Sequence, residues 1–388
     1  MVKQMEKEEK KLNKKKIIKL VIFILLLALI ITMVLLYRDN RTVQTFFDEN
    51  IFRKNYTEEN LPHIEISNDA NTHICAFGNN IGVLSNNQLK VYNSYGKPEY
   101  TLDIVVTNPM FSSKGKYLAI AEKNGSKIYL IADKNLVWQT NIEGTVERIS
   151  VNKNGYVAVA EAQTSYKSVV IVFNSLGRDI CKTYLSSSYA VDIDLSDNNK
   201  QLAIAETNLS GIQIKSSIRI IDLEKVEQGV TNAEIYNKPE TANTIITSIN
   251  YDDNNNLIVM LDNKIVKIEH EEEQDLFEYE ENTLFADIEL NNRTVQVVPS
   301  SEIDGEIEIR LKNNTRERMR TYIINSVPKE LIAKANTIAV NTGNEVYFIS
   351  NNGFLKIKYQ TTQEIKEIVL SENIAGIIYK NKIEIVQL

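Results

Sequence analysis

The chain has few of the residues that form disulfide scaffolds and zinc sites. Its 388 residues include only two cysteines and three histidines. Cys75 and Cys181 lie far apart in different predicted strands, so we expect two buried free thiols and no disulfide between them. The cysteines and histidines also lack the spacing of zinc ligands. Composition therefore excludes a disulfide scaffold and a zinc module.

The sequence also lacks the common catalytic motifs. It contains no G-x-S-x-G, no H-E-x-x-H and no P-loop. The histidines, His63, His73 and His270, have no motif partner for nucleophilic catalysis. Glycoside hydrolysis needs a pair of carboxylates, and no pair stands out among so many acidic residues. We therefore predict no catalytic residue, no cofactor and no metal site.

Glycine and proline are scarce, at 14 and 6 residues, and asparagine-rich turns replace glycine-rich ones. Two acidic stretches, residues 192–198 and residues 252–256, resemble calcium ligands at first. Neither has the D-x-[DN]-x-[DN]-G pattern and late glutamate of a calcium loop. Asp197 and residues 252–256 occupy positions where other repeats of the chain have a predicted turn, at residues 112–115 and 152–155, and Asn and Asp favour turns. We predict turns there.

One long apolar run is present near the N-terminus. Residues 20–37 carry no charge, and extension back to Ile17 gives the length needed to cross a bilayer. Eight lysines lie within residues 1–19, and few basic residues follow the run. The positive-inside rule then places the N-terminus in the cytoplasm and the remainder outside the cell membrane. A cleaved signal peptide is the alternative, although no small-x-small site follows the run.

These features divide the chain into four segments. We predict a cytoplasmic basic tail at residues 1–16, a transmembrane signal anchor at residues 17–37, a juxtamembrane linker at residues 38–61 and a folded domain at residues 62–388. Apolar residues of the linker have helical spacing: Val43, Phe46, Phe47 and Ile51. From residue 37 onward, 36 basic residues stand against 48 acidic ones, which disfavours nucleic acid as a partner.

A two-strand pattern recurs eight times in the folded domain. The clearest copies are Tyr-Leu-Ala-Ile-Ala from Tyr117, Tyr-Val-Ala-Val-Ala from Tyr156 and Gln-Leu-Ala-Ile-Ala from Gln201. Most copies begin 36 to 45 residues apart. Strand repeats of this period predict one β-propeller blade per copy. The first strands of the copies begin at Ile81, Leu118, Val157, Leu202, Leu257, Val295, Ile338 and Ile374.

The final copy supplies only three of the four strands of a blade. An open blade would leave an unpaired edge, which proteins avoid. Residues 63–66 can supply the missing strand and close the ring at eight blades. Seven blades is the alternative, if the copies at Leu257 and Val295 share one blade. The predicted fold is all-β, an eight-bladed β-propeller with one N-terminal transmembrane helix.

The strongest charge cluster, residues 269–275, is predicted as a loop between the third and fourth strands of the fifth blade. A solvated loop is the simplest interpretation, and a docking patch for a basic partner is the alternative. The residues of the candidate patch are Glu269, Glu271, Glu272, Glu273 and Asp275. Residues 207–216 and 224–244 are predicted as insertions in the fourth blade, and long loops often carry binding.

Ala132, Asp133 and Trp138 resemble part of the repeat of quinoprotein-type propellers, which are related to WD40 propellers in form. The Thr-Gly pair of that repeat is missing, and one blade alone keeps the tryptophan. The lysine-rich tail, single span and acidic propeller are together similar to clostridial membrane-anchored propeller proteins of unknown function. A more distant likeness is to the propeller lipoprotein of the outer-membrane assembly machinery, a non-catalytic scaffold. These resemblances imply a topology and no activity.

The expected function is a binding or scaffold module at the cell envelope, without catalysis. It would be anchored in the membrane by residues 17–37 and would bind an unidentified protein or glycan. The alternative is an envelope enzyme, glycan-acting or a degenerate quinoprotein, with a pocket at the propeller channel. A sensor that relays an outside ligand inward would need a further partner, because the tail before the span has no receiving domain.

Overall fold

The computed structural model describes residues 2–39, 43, 47, 51–52, 55–57, 61–67, 71–230, 233–269 and 272–388. The chain divides into two units, Met1–Asn55 and Tyr56–Leu388.

The first unit contains one long helix, α1, at Val2–Asp39. Its segment Lys16–Tyr37 is long and apolar enough to cross a bilayer, and none of it is buried within the protein. The 22 residues span about 33 Å at 1.5 Å per residue, which matches a hydrocarbon core of about 30 Å. A membrane anchor and a signal sequence both satisfy this description. Of the predicted linker helix, Val43, Phe47 and Ile51 have helical backbone, and Phe46 lies outside the described residues.

The second unit is an eight-bladed β-propeller of antiparallel sheets. Two short strands precede the first blade: β1 at Asn55–Thr57 and β2 at His63–Glu65. Blade 1 consists of β3–β6 (His73–Phe77, Asn80–Ser85, Gln88–Asn93 and Pro98–Asp103), and blade 2 of β7–β10 (Pro109–Lys114, Tyr117–Glu122, Lys127–Ala132 and Asn135–Asn141). Blade 3 consists of β11–β14 (Thr145–Val151, Val157–Ala162, Ser168–Phe173 and Asp179–Leu185), and blade 4 of β15–β18 (Tyr189–Leu195, Gln201–Asn208, Lys215–Asp222 and Glu234–Ala242). Blade 5 consists of β19–β22 (Ile246–Tyr251, Leu257–Leu261, Lys264–Glu269 and Glu272–Glu278), and blade 6 of β23–β26 (Phe285–Leu290, Arg293–Pro299, Ile307–Asn313 and Met319–Ile324). Blade 7 consists of β27–β30 (Glu330–Lys334, Thr337–Asn341, Glu345–Ser350 and Leu355–Gln360), and blade 8 contains β31–β33 (Glu367–Leu370, Ile374–Ile378 and Lys382–Gln387).

The repeated alanine-rich strand is explained by the packing between blades. In blade 2, residues 118–121 are fully buried, because both faces of the second strand meet a neighbouring blade. Ala119 and Ala121 pack with Val157 and Val159 of blade 3. Small side chains on one blade thus accommodate β-branched ones on the next, which lets adjacent sheets interdigitate. Eight apolar clusters result, one at each interface between neighbouring blades.

The ring closes through β2, as the sequence predicted. β2 pairs antiparallel with β33, and Ile64 lies opposite Ile383. Ile64 is 3% exposed and packs with Ile81 of blade 1 as well as with blade 8. The seven-bladed alternative is wrong, because β20 and β24 belong to separate four-stranded sheets.

Three expected boundaries differ in the structure. Residues 112–115 were expected as a turn, but β7 continues to Lys114 because Ser112 and Ser113 bond to the inner strands of blades 3 and 1. The hairpin of β16 and β17 shortens the first expected insertion to residues 209–214. The second, residues 224–244, contains most of α2 (Leu223–Glu227) and all of β18.

Both cysteines are free and buried, on blades 1 and 3, as predicted. Burial raises the pKa of the Cys75 thiol to about 12, so this thiol stays protonated and unreactive.

Trp138 packs between blade 2 and blade 3. Its ring lies 5.6 Å from the ring of Phe173, centroid to centroid. Gly177, in the turn after the third strand of blade 3, lies directly against the indole. A Cβ at Gly177 would lie 2.8 Å from Trp138 Cγ, and the backbone there has φ +79°. Only glycine satisfies both conditions.

We expect Gly177→Ala to lower the free energy of unfolding by about 3 kcal/mol, from backbone strain plus the contact with Trp138. Gly229→Ala is the matched control, because Gly229 has φ +77° and open space around the added methyl. The control should cost about 1 kcal/mol, the strain alone. Urea unfolding of both variants separates the two effects. Equal losses would show that Trp138 does not constrain this turn.

Candidate functional site at the central channel

A cavity of about 640 Å³ lies at the centre of the ring, and residues from all eight blades line it. The first strand of each blade is the innermost one. The turns between the first and second strands surround one mouth of the channel, on the rim that also carries the turns between the third and fourth strands. We call this the upper rim. The turns between the second and third strands form the lower rim.

Asp197 lies at the upper mouth, in the turn after β15, and two lysines hold it. Its carboxylate oxygens are each 3.2 Å from a lysine Nζ, that of Lys114 in β7 and that of Lys153 after β11. Burial lowers the pKa of Lys114, but the charges of Asp194 and Asp197 outweigh this effect and raise it above its usual value. Lys114 therefore remains a cation and joins blade 2 to blade 4 across the channel.

Asp194, deeper in the channel, joins three blades. It is 8% exposed. Its carboxylate accepts a hydrogen bond from the Ser150 hydroxyl of blade 3 at 2.7 Å and from the Tyr251 backbone N–H of blade 5 at 2.6 Å. Burial raises its pKa, and Lys114 with these donors opposes the increase. The carboxylate thus satisfies polar groups that the ring would otherwise bury without partners.

Asp192 repeats the arrangement one step along β15. It accepts from the Ile249 N–H at 2.8 Å and from the Ser248 hydroxyl at 3.1 Å, both on blade 5. Burial raises its pKa to about 6. In blade 6, Asp287 likewise accepts the Ala333 N–H of blade 7 at 3.0 Å. These carboxylates act as acceptors between neighbouring inner strands.

Among the described residues, no group of three or more His, Cys, Asp and Glu side chains is placed to hold a metal ion. The channel mouth presents lysines and carboxylates that already contact one another. Its polar groups stabilise the ring and leave a water-accessible cavity at the axis.

Residues 52–388 match a protein family described as a family of unknown function, DUF5711. The chain belongs to the DUF5711 family. No curated protein matches it.

Solved structures of other proteins resemble the fold of this DUF5711 chain. The chain is similar to the C-terminal WD40 domain of Sif2, with a TM-score of 0.57, 15% identity and coverage of 84% of this chain and 98% of that one. It is also similar to BamB from Moraxella catarrhalis, with a TM-score of 0.50, 10% identity and coverage of 84% and 99%. At such identities the likeness shows the propeller fold alone.

The predicted acidic patch lies elsewhere on the DUF5711 propeller. The expected loop is wrong for most of it: Glu269 ends β21, and Glu272, Glu273 and Asp275 belong to β22. The two strands pair directly, with Glu269 opposite Glu272. Glu271 lies outside the described residues. The charge density had indicated a loop, but β22 is an outer strand, whose exposed face accepts such residues.

Lysines neutralise much of this patch. The ion pairs are Glu269 with Lys267 at 2.6 Å, Glu273 with Lys238 at 2.8 Å and Asp275 with Lys264 at 2.7 Å. Its role as a docking surface remains a proposal, and a basic partner would have to compete with these lysines.

Sequence reasoning did not identify Lys114, Asp192 and Asp194 as channel residues. One signal was present in the sequence. Asp192 and Asp194 are two residues apart in a strand that otherwise carries apolar residues, so both side chains lie on one face of it. Charged residues on one face of a propeller's innermost strand indicate side chains that line the channel.

Proposed function

We propose that this DUF5711 chain is a membrane-anchored binding or scaffold module of the cell envelope, with its propeller outside the cytoplasmic membrane. The apolar segment of α1 supports the anchor, and the lysines before it support the orientation. The propeller likeness to the WD40 domain of Sif2 and to BamB supports a surface for binding.

The proposal rests on the hydrogen bonds that the channel carboxylates accept from neighbouring blades. Asp192, Asp194 and Asp287 each accept a backbone N–H from the next blade. These hydrogen bonds fix the blades relative to one another. The propeller is then a rigid disc, and the residues of its rims can differ without changing that rigidity. The alternative of an envelope enzyme gains no support from these residues.

Orientation can be tested by labelling intact cells with a membrane-impermeant maleimide. Ile212 lies fully exposed on the lower rim, and both native cysteines are buried, so the wild type supplies the unlabelled background. We expect Ile212→Cys to be labelled in intact cells, and Lys10→Cys only after permeabilisation. Labelling in the reverse order would overturn the proposed location. Recovery of a shortened chain in the medium would identify a cleaved signal peptide.

The binding role needs a second experiment, with a photo-crosslinking residue in place of Tyr95 on the upper rim or Ile212 on the lower rim. Both side chains are exposed. We expect one position to give a reproducible adduct with an envelope protein or glycan and the other to give none. Equal, unselective adducts at both positions, or none across growth conditions, would contradict a binding module.

A further inference from the structure

A second cavity, of about 570 Å³, opens on the upper rim between blades 6 and 7. We call it the blade 6–7 groove. Six asparagines and Ser350 line it, together with two cations, Arg293 and Lys356, and one carboxylate, Asp253. Arg293 begins β24 of blade 6, and Lys356 lies in β30 of blade 7. The groove is thus rich in hydrogen-bond donors and carries net positive charge in an acidic protein.

Arg293 is the unusual residue of the groove. It is 9% exposed, and its Nη1 is buried without a hydrogen-bond partner among the described residues. Its Nη2 makes one long hydrogen bond, of 3.4 Å, to Asn352 Oδ1. Burial lowers the pKa of Arg293, and the nearby charges of Arg320 and Arg318 lower it further. A buried guanidinium with an unused donor beside other cations is costly unless an acceptor meets it.

Lys356 adds to the positive charge of the groove. Its Nζ donates to Thr337 Oγ1 at 2.7 Å, and burial lowers its pKa. In the part of the chain that the structure describes, no carboxylate lies within ion-pair distance of Lys356 or Arg293. The one carboxylate lining the groove, Asp253, faces the charges of Lys153 and Lys114 of the channel.

Two other half-buried cations of the propeller have carboxylate partners: Lys114 pairs with Asp197, and Arg219 pairs with Glu206 at 2.6 Å. Arg293 and Lys356 have no such partner among the described residues, so an anion from outside the chain would complement their charge.

We propose that the blade 6–7 groove binds a phosphate-type oxyanion, held by Arg293 and Lys356 and by the amide groups of the surrounding asparagines. The guanidinium supplies charge and hydrogen-bond donors for the phosphate oxygens, and the lysine supplies a point charge. The phosphate could be a free ion or the headgroup of an anionic lipid. Both present the same oxygens to the groove.

The first probe is inorganic phosphate, added to the full chain in phosphatidylcholine nanodiscs. At equal ionic strength, about 10 mM phosphate should raise the unfolding temperature by about 2 °C relative to chloride, as a millimolar site would. Phosphate without effect on the wild type, together with failure of the lipid experiment below, would overturn the proposal.

Two variants separate binding from folding. Arg293→Met should abolish the phosphate shift and leave the unfolding temperature in chloride unchanged or higher, because it removes an unpartnered buried donor and its repulsion by Arg318 and Arg320. Lys356→Gln should weaken phosphate binding at least about tenfold. The control is Lys116→Gln, an exposed upper-rim cation on blade 2, which should respond to phosphate as the wild type does. A phosphate shift that persists in Arg293→Met would overturn the site.

The lipid source is tested by co-flotation of the nanodisc-held chain with phosphatidylglycerol vesicles, with phosphatidylcholine vesicles as the control. Flotation of the wild type and not of Arg293→Met identifies a headgroup as the ligand and supports the site. A phosphate shift without flotation identifies the free ion. Equal flotation of wild type and Arg293→Met, without a phosphate shift, overturns the proposal.

Discussion

Replacing Ile64 by Asp is expected to lower the free energy of unfolding by more than about 5 kcal/mol and to open the ring. Ile64 is 3% exposed in the interface of blades 8 and 1, where Ile81, Ile374 and Ile383 surround it. The change removes a buried aliphatic side chain and places a carboxylate in the same space without a partner. A loss of this size is a large part of the stability of an ordinary domain. Urea unfolding followed by circular dichroism measures it.

His63→Asp is the matched control for this experiment. His63 is on the same strand, one residue away, and its side chain faces solvent. The same new charge should therefore change the free energy of unfolding by less than about 0.5 kcal/mol. If Ile64→Asp unfolded at the same urea concentration as this control, β2 would not belong to blade 8.

Replacing Asp194 by Ala is expected to lower the free energy of unfolding by about 4 kcal/mol. The substitution leaves the Ser150 hydroxyl and the Tyr251 N–H without their acceptor, and Lys114 without one of its counter-charges. Removing one member of a buried, hydrogen-bonded charge set costs far more than removing a surface ion pair. Urea unfolding at neutral pH gives the value.

Two further substitutions show which property of Asp194 matters. Asp194→Asn keeps one acceptor oxygen and should recover part of the loss. Asp179→Ala removes a carboxylate on the outer strand of blade 3 that is 57% exposed and pairs with Lys182 at 3.5 Å, so it should cost less than about 0.5 kcal/mol. A loss at Asp194 no greater than that at Asp179 would mean that the channel carboxylates do not hold the blades together.

The fold was largely predictable because its determinants are periodic. Each blade repeats an apolar second and third strand, and the alanines of the copies at Tyr117, Tyr156 and Gln201 reflect packing between neighbouring sheets. The closing strand was also predictable, since a blade short of one strand requires it. The boundary of β7 was not, because Ser112 and Ser113 extend that strand through bonds to other blades.

The site was harder to predict, because it depends on neighbours that are distant in sequence. Asp192 and Asp194 were noticed as acidic residues, but their partners on blade 5 lie more than fifty residues further along the chain. Arg293 carries no pattern at all in the sequence. Its significance comes from burial, an unused donor and the charges of Arg318 and Arg320, which only folding brings together.

The pairing of β2 with β33 also determines when the molecule can finish folding. Blades 1 to 7 can form in order as the chain is synthesised, since the four meander strands of each are consecutive in sequence. Blade 8 must wait until residues 382–387 are available to meet a strand made before blade 1. Until then both edges of the ring are exposed, and the search for contacts of such long sequence separation is slow. A nascent chain of this protein therefore exposes aggregation-prone edges until β33 has been made, and a truncation before β33 would leave an almost complete ring unable to close.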